Sequence, residues 1–276
     1  MPWHAQLHLD YRLDQQRTVL QHRHNGPLRI LKSLYPEGEA ICHNVVVHPP
    51  GGLVGGDLLD VKLHAGTGAH AMLGTPGATR FYAADNATTT QQVAITLDPG
   101  ARLEWLPLEA IAYPGCDALN SVSATLAEGA EMMGWDVTAL GLPLAGQPYT
   151  TGRFRQRLEI PGIWLEQAGI EASDTRLLQS PLGLAGHRCL GTFWFATGSV
   201  LTRERREHLL EAVRAALQDC PEGVQAGATC PNDHVLAVRA VAPLVEPLMA
   251  LFQRAWTALR PAAWGLDPVQ PRIWKV

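Results

Sequence analysis

The chain has 276 residues, a formal net charge of −4, 46% hydrophobic residues and only 17% charged ones. That length suits one large domain or two small ones, and a body of this size buries roughly three quarters of its unfolded surface, so neither disulfides nor a structural metal are needed to hold it. The acidic balance and the absence of a basic stripe exclude nucleic acid as the expected partner. The five cysteines are an odd number, the start Met1-Pro2-Trp3-His4 lacks the features of a signal peptide, and no apolar run is long enough to span a membrane. The expectation is a cytoplasmic protein with reduced thiols and no membrane partner.

In chain order, Leu7, Leu9, Tyr11 and Leu13 alternate with His8, Asp10 and Arg12, the period of a half-buried strand. Asp14–Arg17 reads as a turn and Thr18–His22 as the returning strand. Leu28–Tyr35 fits a strand or a short helix, and Glu39–His48 is a β-branched strand. It feeds His48-Pro-Pro-Gly-Gly-Leu-Val-Gly-Gly-Asp57, with four glycines and two prolines in ten residues. Such a run forms neither a helix nor a plain strand; it is a shaped loop. No Lys-Ser or Lys-Thr follows the glycines and no GxGxxG occurs, so a phosphate cradle is the weaker reading.

An internal repeat follows. Val61 and Gly68, Val93 and Gly100, Val122 and Gly129 keep one spacing, and each glycine is followed by alanine. Each unit is an alternating strand, a glycine turn and a second strand; a weaker fourth copy centres on Pro161-Gly162. A repeat of about 30 residues with two strands per unit predicts a mainly β fold of stacked hairpins with a β-helix-like elongated core. After Gly198 the pattern changes. Thr202 caps a predicted helix carrying Leu209, Leu210, Val213, Ala216 and Leu217 on one face. Val235–Ala242 is a strand, and Pro243 opens a second helix predicted to end near Pro261. The expectation is a single domain over 1–276, with a β-rich stack over about 1–198 and a smaller helical and mixed part over about 199–276.

For chemistry, the sequence has no CxxC pair, no HExxH and no G-x-S-x-G. The carboxylates Asp57, Asp60, Glu104 and Glu109 stand out. Glu104 alternates with Leu103 and Trp105, so a strand turns it away from them. It reads as a solvated outer-face group or one bonded by loop N–H groups. The functional reading is a polar interior lane whose weak oxygen ligands hand on a divalent ion. Thr75, Thr79 and Arg80 are candidates for its loop side, although Arg80 also suits a pair with Asp57 or Asp85. Trp256, Trp264 and Trp274 fit either a docking surface or the core.

The run HPPGGLVGGD, then Gly74-Thr-Pro-Gly-Ala-Thr-Arg-Phe-Tyr82, then Leu103-Glu-Trp-Leu-Pro107 with Glu109-Ala-Ile-Ala-Tyr113, and the end Pro271-Arg-Ile-Trp274, closely resemble the urease accessory protein UreD (UreH) family. The likeness spreads over about residues 28 to 276. Two departures are Gly74, where the family pattern has Thr, and Leu142, where it has Arg. The resemblance implies a mostly β fold with helices toward the C-terminal part. It implies a non-catalytic nickel-delivery chaperone that docks on apo-urease and on the accessory protein UreF, which in turn recruits the GTPase UreG. Nickel would pass through without any tightly bound cofactor. The candidate structural or docking loop is Pro49, Pro50, Gly51, Gly52, Gly55, Gly56, Thr75, Pro76, Gly77, Arg80 and Tyr82; the candidate transient metal set, chosen among the carboxylates and not mapped by any family motif, is Asp57, Asp60, Glu104 and Glu109. Two other readings fit the residues. One is a carbohydrate-active enzyme with two of Asp57, Glu104 and Glu109 about 5 to 9 Å apart across an open groove. The other is an adaptor that never touches metal.

Overall fold

The computed structural model describes residues 2–85 and 87–275. A hairpin opens the chain: β1 (His4–Asp14) and β2 (Arg17–Asn25) pair antiparallel through a turn in which Gln15 takes a positive φ. The stretch left open between strand and helix contains the short β3 (Arg29–Ile30), antiparallel to β4 (Ile41–Val47). The glycine-rich loop carries β5 (Gly52–Leu53).

The chain then coils. β6 (Leu58–Ala65), β7 (His70–Gly74) and β8 (Thr79–Phe81) form one turn, and β9 (Thr89–Leu97), β10 (Arg102–Leu106) and β11 (Ala110–Ala112) the next. β12 (Cys116–Leu126) and the long β13 (Glu131–Leu142) form a third, beside the short β14 (Gln147–Pro148). In the first sheet, β1, β6, β9 and β12 lie parallel in that order. In the second, β4, β7, β10 and β13 do the same. The two strands of a repeat therefore face each other across the core and pair with the corresponding strands of neighbouring coils. The turn between them explains the Gly-Ala signature: Gly68, Gly100 and Gly129 have φ of 69, 70 and 74°, a left-handed corner that glycine takes without strain.

The fourth repeat differs. β15 (Gly152–Ile160) joins the first sheet parallel to β12, but β16 (Trp164–Glu171) doubles back on it as a hairpin. After the short α1 (Thr175–Gln179), β17 (Cys189–Thr197) extends the second sheet antiparallel to β13. α2 (Arg203–Leu217) follows, capped by the Thr202 hydroxyl, which accepts from the Arg205 N–H at 3.2 Å. β18 (Gln225–Thr229) and β19 (Val235–Ala242) complete that sheet.

The last helix, α3 (Val245–Trp264), does not stop at Pro261 as expected from sequence. It continues to a left-handed Gly265, whose N–H bonds the Pro261 carbonyl at 2.8 Å. A proline one turn from the end sacrifices one backbone bond without breaking the helix.

Two cores result. Leu7, Leu63, Val93, Val122 and Phe154 fill the space between the sheets. Trp135, Phe193, Leu209, Leu248, Phe252 and Trp256 fill the space between the second sheet and α2 and α3. The second sheet is thus covered on both faces, and β13 has eleven consecutive buried residues, from Glu131 to Gly141, the near-continuous apolar run such a position requires. Trp256 and Trp264 are core residues. Half-buried Trp274 packs 5.3 Å from Trp135 and 5.1 Å from Trp256, centroid to centroid. Ile273 fills the notch left by Gly74, where any Cβ would strike it.

Candidate functional site

The three motifs meet. A side chain at Gly52 would collide with the Tyr82 ring, which packs against Tyr113 with centroids 4.7 Å apart and planes tilted by 52°. The Thr75 hydroxyl accepts the Leu108 N–H at 2.9 Å, and the Thr79 N–H donates to the Glu109 carbonyl at 2.9 Å. Gly51 and Gly56 have φ of 74 and 83°. Gly55 is constrained by a different cause: a Cβ there would lie 3.2 Å from the Asp85 nitrogen and 3.3 Å from the Ala84 Cα, a tight contact that the Ala84–Asp85 segment would have to relieve. Pro49, Pro50, Pro76, Gly77 and Arg80 stand exposed.

Together these segments shape one mouth. A cavity of about 180 Å³ is lined by His48, Gly51, Thr75, Gly77, Thr79 and Gln91 among others. Burial holds the His48 imidazole below its ordinary pKa, against the pull of Asp57. Behind it a space of about 20 Å³, room for a single water-sized group, joins Thr79 and Gln91 to Asn120 and Asp136.

From there two polar ladders face each other across the inner core. In the first sheet Gln91, Asn120 and Gln156 are neighbours on β9, β12 and β15. In the second, Asp136, Thr192 and Arg239 are neighbours on β13, β17 and β19. The Thr79 hydroxyl donates to Gln91 at 3.2 Å, the Gln91 amide to Asn120 at 3.0 Å, and the Asn120 amide to Asp136 at 2.7 Å. Gln156, Thr192 and Arg239 then line a second, wider opening of about 440 Å³ with Glu166. A polar row thus runs along the stack, across the strands, from the motif-built mouth to the far end. Asp136 is its one fully buried acid. Burial, with a smaller push from the charge of Glu166, raises its pKa to about 7, against a hydrogen bond from Thr138.

The four carboxylates singled out from sequence occupy different places. Both oxygens of Asp57 accept backbone N–H groups, from Trp3 at 2.8 Å and Val54 at 3.0 Å, so it staples the loop to the N-terminal strand. Asp60 lies on the outward side of the first sheet and accepts from Gln92 at 3.1 Å. Glu104 is not a solvated outer-face group. It is fully buried under α3, accepts from Trp256 Nε1 at 2.6 Å, and lies 3.0 Å from His70 Nε2 and 3.3 Å from Arg260 Nε. Half-buried Glu109 has a raised pKa, from burial and from nearby Glu246, which the Arg80 charge opposes. Among the described residues no ion pair joins Arg80 to Asp57 or Asp85, and no three His, Cys, Asp or Glu side chains are grouped to hold a metal. Burial pushes the Cys116 and Cys189 thiols up to about 11 and about 12, so both stay protonated.

Of the lane residues, the sequence motifs point to Thr79 and not to Gln91, Asn120, Asp136 or Gln156. No described helix is long and apolar enough to cross a membrane.

The model of the UreD urease accessory protein family matches residues 4–275. Curated relatives include the urease accessory protein UreD of Paracidovorax citrulli, 57% identical over 274 residues, and that of Albidiferax ferrireducens, 56% identical over 274 residues; each alignment covers 99% of both chains. The protein of the same name from Polaromonas sp. is 54% identical over 276 residues, covering both chains completely. A full-length family match, relatives aligned end to end and a coil whose mouth is assembled from the three motifs lead to one conclusion: the chain belongs to the UreD urease accessory protein family, whose role is in urease maturation.

Proposed function

We propose that this chain is a non-catalytic nickel-delivery chaperone acting in the cytoplasm, docked on apo-urease and on UreF, with UreG recruited through UreF. The observation that carries the nickel part is the pair of facing polar ladders from Thr79 to Gln156 and Asp136. Amide and hydroxyl oxygens with a single carboxylate bind a divalent ion weakly, and no closed cage of soft ligands traps it. Family membership, with its role in urease maturation, supports the choice of partners. The carbohydrate-enzyme reading loses its groove, because Glu104 is enclosed in protein and both oxygens of Asp57 are bonded to backbone.

The test is co-expression with urease and the other accessory proteins, comparing wild type with Asn120→Leu and Asp136→Ala. Urease nickel content and activity are expected to fall roughly tenfold or more, the scale on which metal-orienting partners act. Both variants should still melt cooperatively as folded protein, and their recovery with urease and UreF in pull-downs should stay close to wild type. Full nickel loading of urease by both variants would sink the transit reading and leave the adaptor.

A further inference from the structure

On the outside of the first sheet, beside its edge strand β2, lies a groove of about 530 Å³. Strand register puts Arg23, His8 and Lys62 in one row across β2, β1 and β6. The ends of that row are two strand spacings apart, about 10 Å. The acids near it are already engaged. His64 lies 2.9 Å from Asp10 and 3.1 Å from Asp98, one carboxylate on each ring nitrogen, and Arg12 also pairs with Asp10. An imidazole bonded in this way donates from both nitrogens, so it carries a positive charge that offsets the two acids. Asp60, on the same face as Lys62, accepts from Gln92 at 3.1 Å. Among the described residues no ion pair reaches Arg23 or Lys62. Both are exposed, and they face the groove as free cations with the His8 imidazole between them.

The strand beside the groove has an open edge. The two-residue turn between Asp14 and Arg17 sets the alternation of the ladder: Val19, Gln21 and Arg23 bond to β1, and Thr18, Leu20, His22 and His24 turn their N–H and C=O groups away from it. Thr18 is satisfied, its N–H by the Glu39 carbonyl at 3.0 Å and its carbonyl by the Tyr35 hydroxyl at 2.9 Å. Among the described residues no hydrogen bond reaches the backbone of Leu20, His22 or His24 on that side. We propose that this edge and groove together dock an acidic, extended segment of a partner protein: the segment adds to β2 as a further strand, and every second side chain, a carboxylate, lies over the row of Arg23, His8 and Lys62. Backbone pairing gives such a site its grip and the side-chain row its choice of partner. Charge complementarity selects an acidic segment. A nucleic acid fits less well, because the row is short and the groove is lined by no Phe, Tyr or Trp on which a base could stack. The site lies outside the polar lane and does not depend on it.

The experiment measures fluorescence anisotropy with the purified full-length chain at low salt. The probes are a labelled peptide of alternating Glu and Val, the same peptide with its alternate backbone amides N-methylated, a Lys-Val counterpart and a short oligothymidylate. Wild type is expected to bind the Glu-Val peptide, more weakly as salt rises, and to bind the other three at least tenfold less well. Arg23→Glu/Lys62→Glu should lose roughly tenfold or more in affinity, since two attractive charges become repulsive. Lys32→Glu/Arg203→Glu, the same change of net charge at exposed positions outside the groove, should bind as wild type does. Circular dichroism melts establish that each variant is folded, and Arg23→Gln/Lys62→Gln, with a smaller loss, replaces the reversal if that variant does not fold. The proposal is overturned if wild type does not bind the Glu-Val peptide, or if both reversal pairs weaken it equally. Equal binding of the N-methylated peptide overturns the strand addition, and equal binding of the oligothymidylate overturns the choice of partner.

Discussion

Asp136 lies in the inner core with one amide donor, Asn120, at 2.7 Å and a weak contact from Thr138 at 3.5 Å. That is too little to offset the desolvation of a carboxylate, hence a folded pKa of about 7 against the ordinary 3.8. The linkage has a definite sign. Below pH 4 both the folded and the unfolded chain hold the proton. Between about 4 and 7 the folded chain holds a proton that the unfolded chain has lost, so stability falls as pH rises through that window and levels off above it. Asp136→Asn removes this contribution. Its melting temperature should therefore gain on wild type steadily from pH 4 to 7 and hold a constant lead at pH 8; parallel melting curves would show that Asp136 is ionised in the fold throughout. The lane residues left a trace in the sequence. Gln91, Asn120 and Gln156 each stand two places before the core residues Val93, Val122 and Leu158, where the first repeat has Leu59. A polar side chain in phase with the buried face, repeated at one position of successive units, marks an interior row. Carboxylates were the stronger lure, because burial of an acid such as Glu104 cannot be told from exposure by alternation alone.

Among the elements, α2 and α3 are attached electrostatically as well as by apolar packing. Arg260, fully buried, bonds Glu37 at 2.9 Å, Glu104 at 3.3 Å and the Asp267 carbonyl. Glu131 takes the Trp264 indole at 2.7 Å and Arg205 of α2 at 2.6 Å. Carboxylates on the second sheet therefore pin both helices. Arg260→Leu strands two buried acids and should cost about 3–5 kcal/mol in urea unfolding, with part regained in Glu104→Gln/Arg260→Leu. A cost under about 1 kcal/mol would mean that apolar packing alone seats the helix. The helices themselves were legible from cap and period, and the three coils from the glycine spacing. What alternation does not encode is the partner of each strand. Two strands joined by a tight glycine turn have the same pattern whether they pair or face each other across a core, so coil and hairpin separate only when the sheets are seen.

For the molecule as a whole, the expected division near residue 198 falls within a continuous sheet. β19 pairs with β17, and β17 with β13, so residues 189–242 extend the surface built by the coils. Removing residues 199–276 would uncover Trp135, Phe193 and Phe195, all at 0% exposure. We expect a chain ending at residue 198 to be insoluble, and the full chain to unfold in one transition with coincident fluorescence and circular dichroism signals. Two resolved transitions, or a soluble folded fragment, would establish two independent units.

Because the inner polar row is produced by strand register, its reach comes in steps. In the first sheet each successive strand from β9 contributes one side chain and advances the row by the spacing of adjacent strands, about 4.8 Å. Gln91, Asn120 and Gln156 are three such rungs. Duplicating or deleting a single 30-residue coil would lengthen or shorten the conduit by one rung and leave the fittings at either end unchanged, so span and terminal chemistry are free to evolve separately.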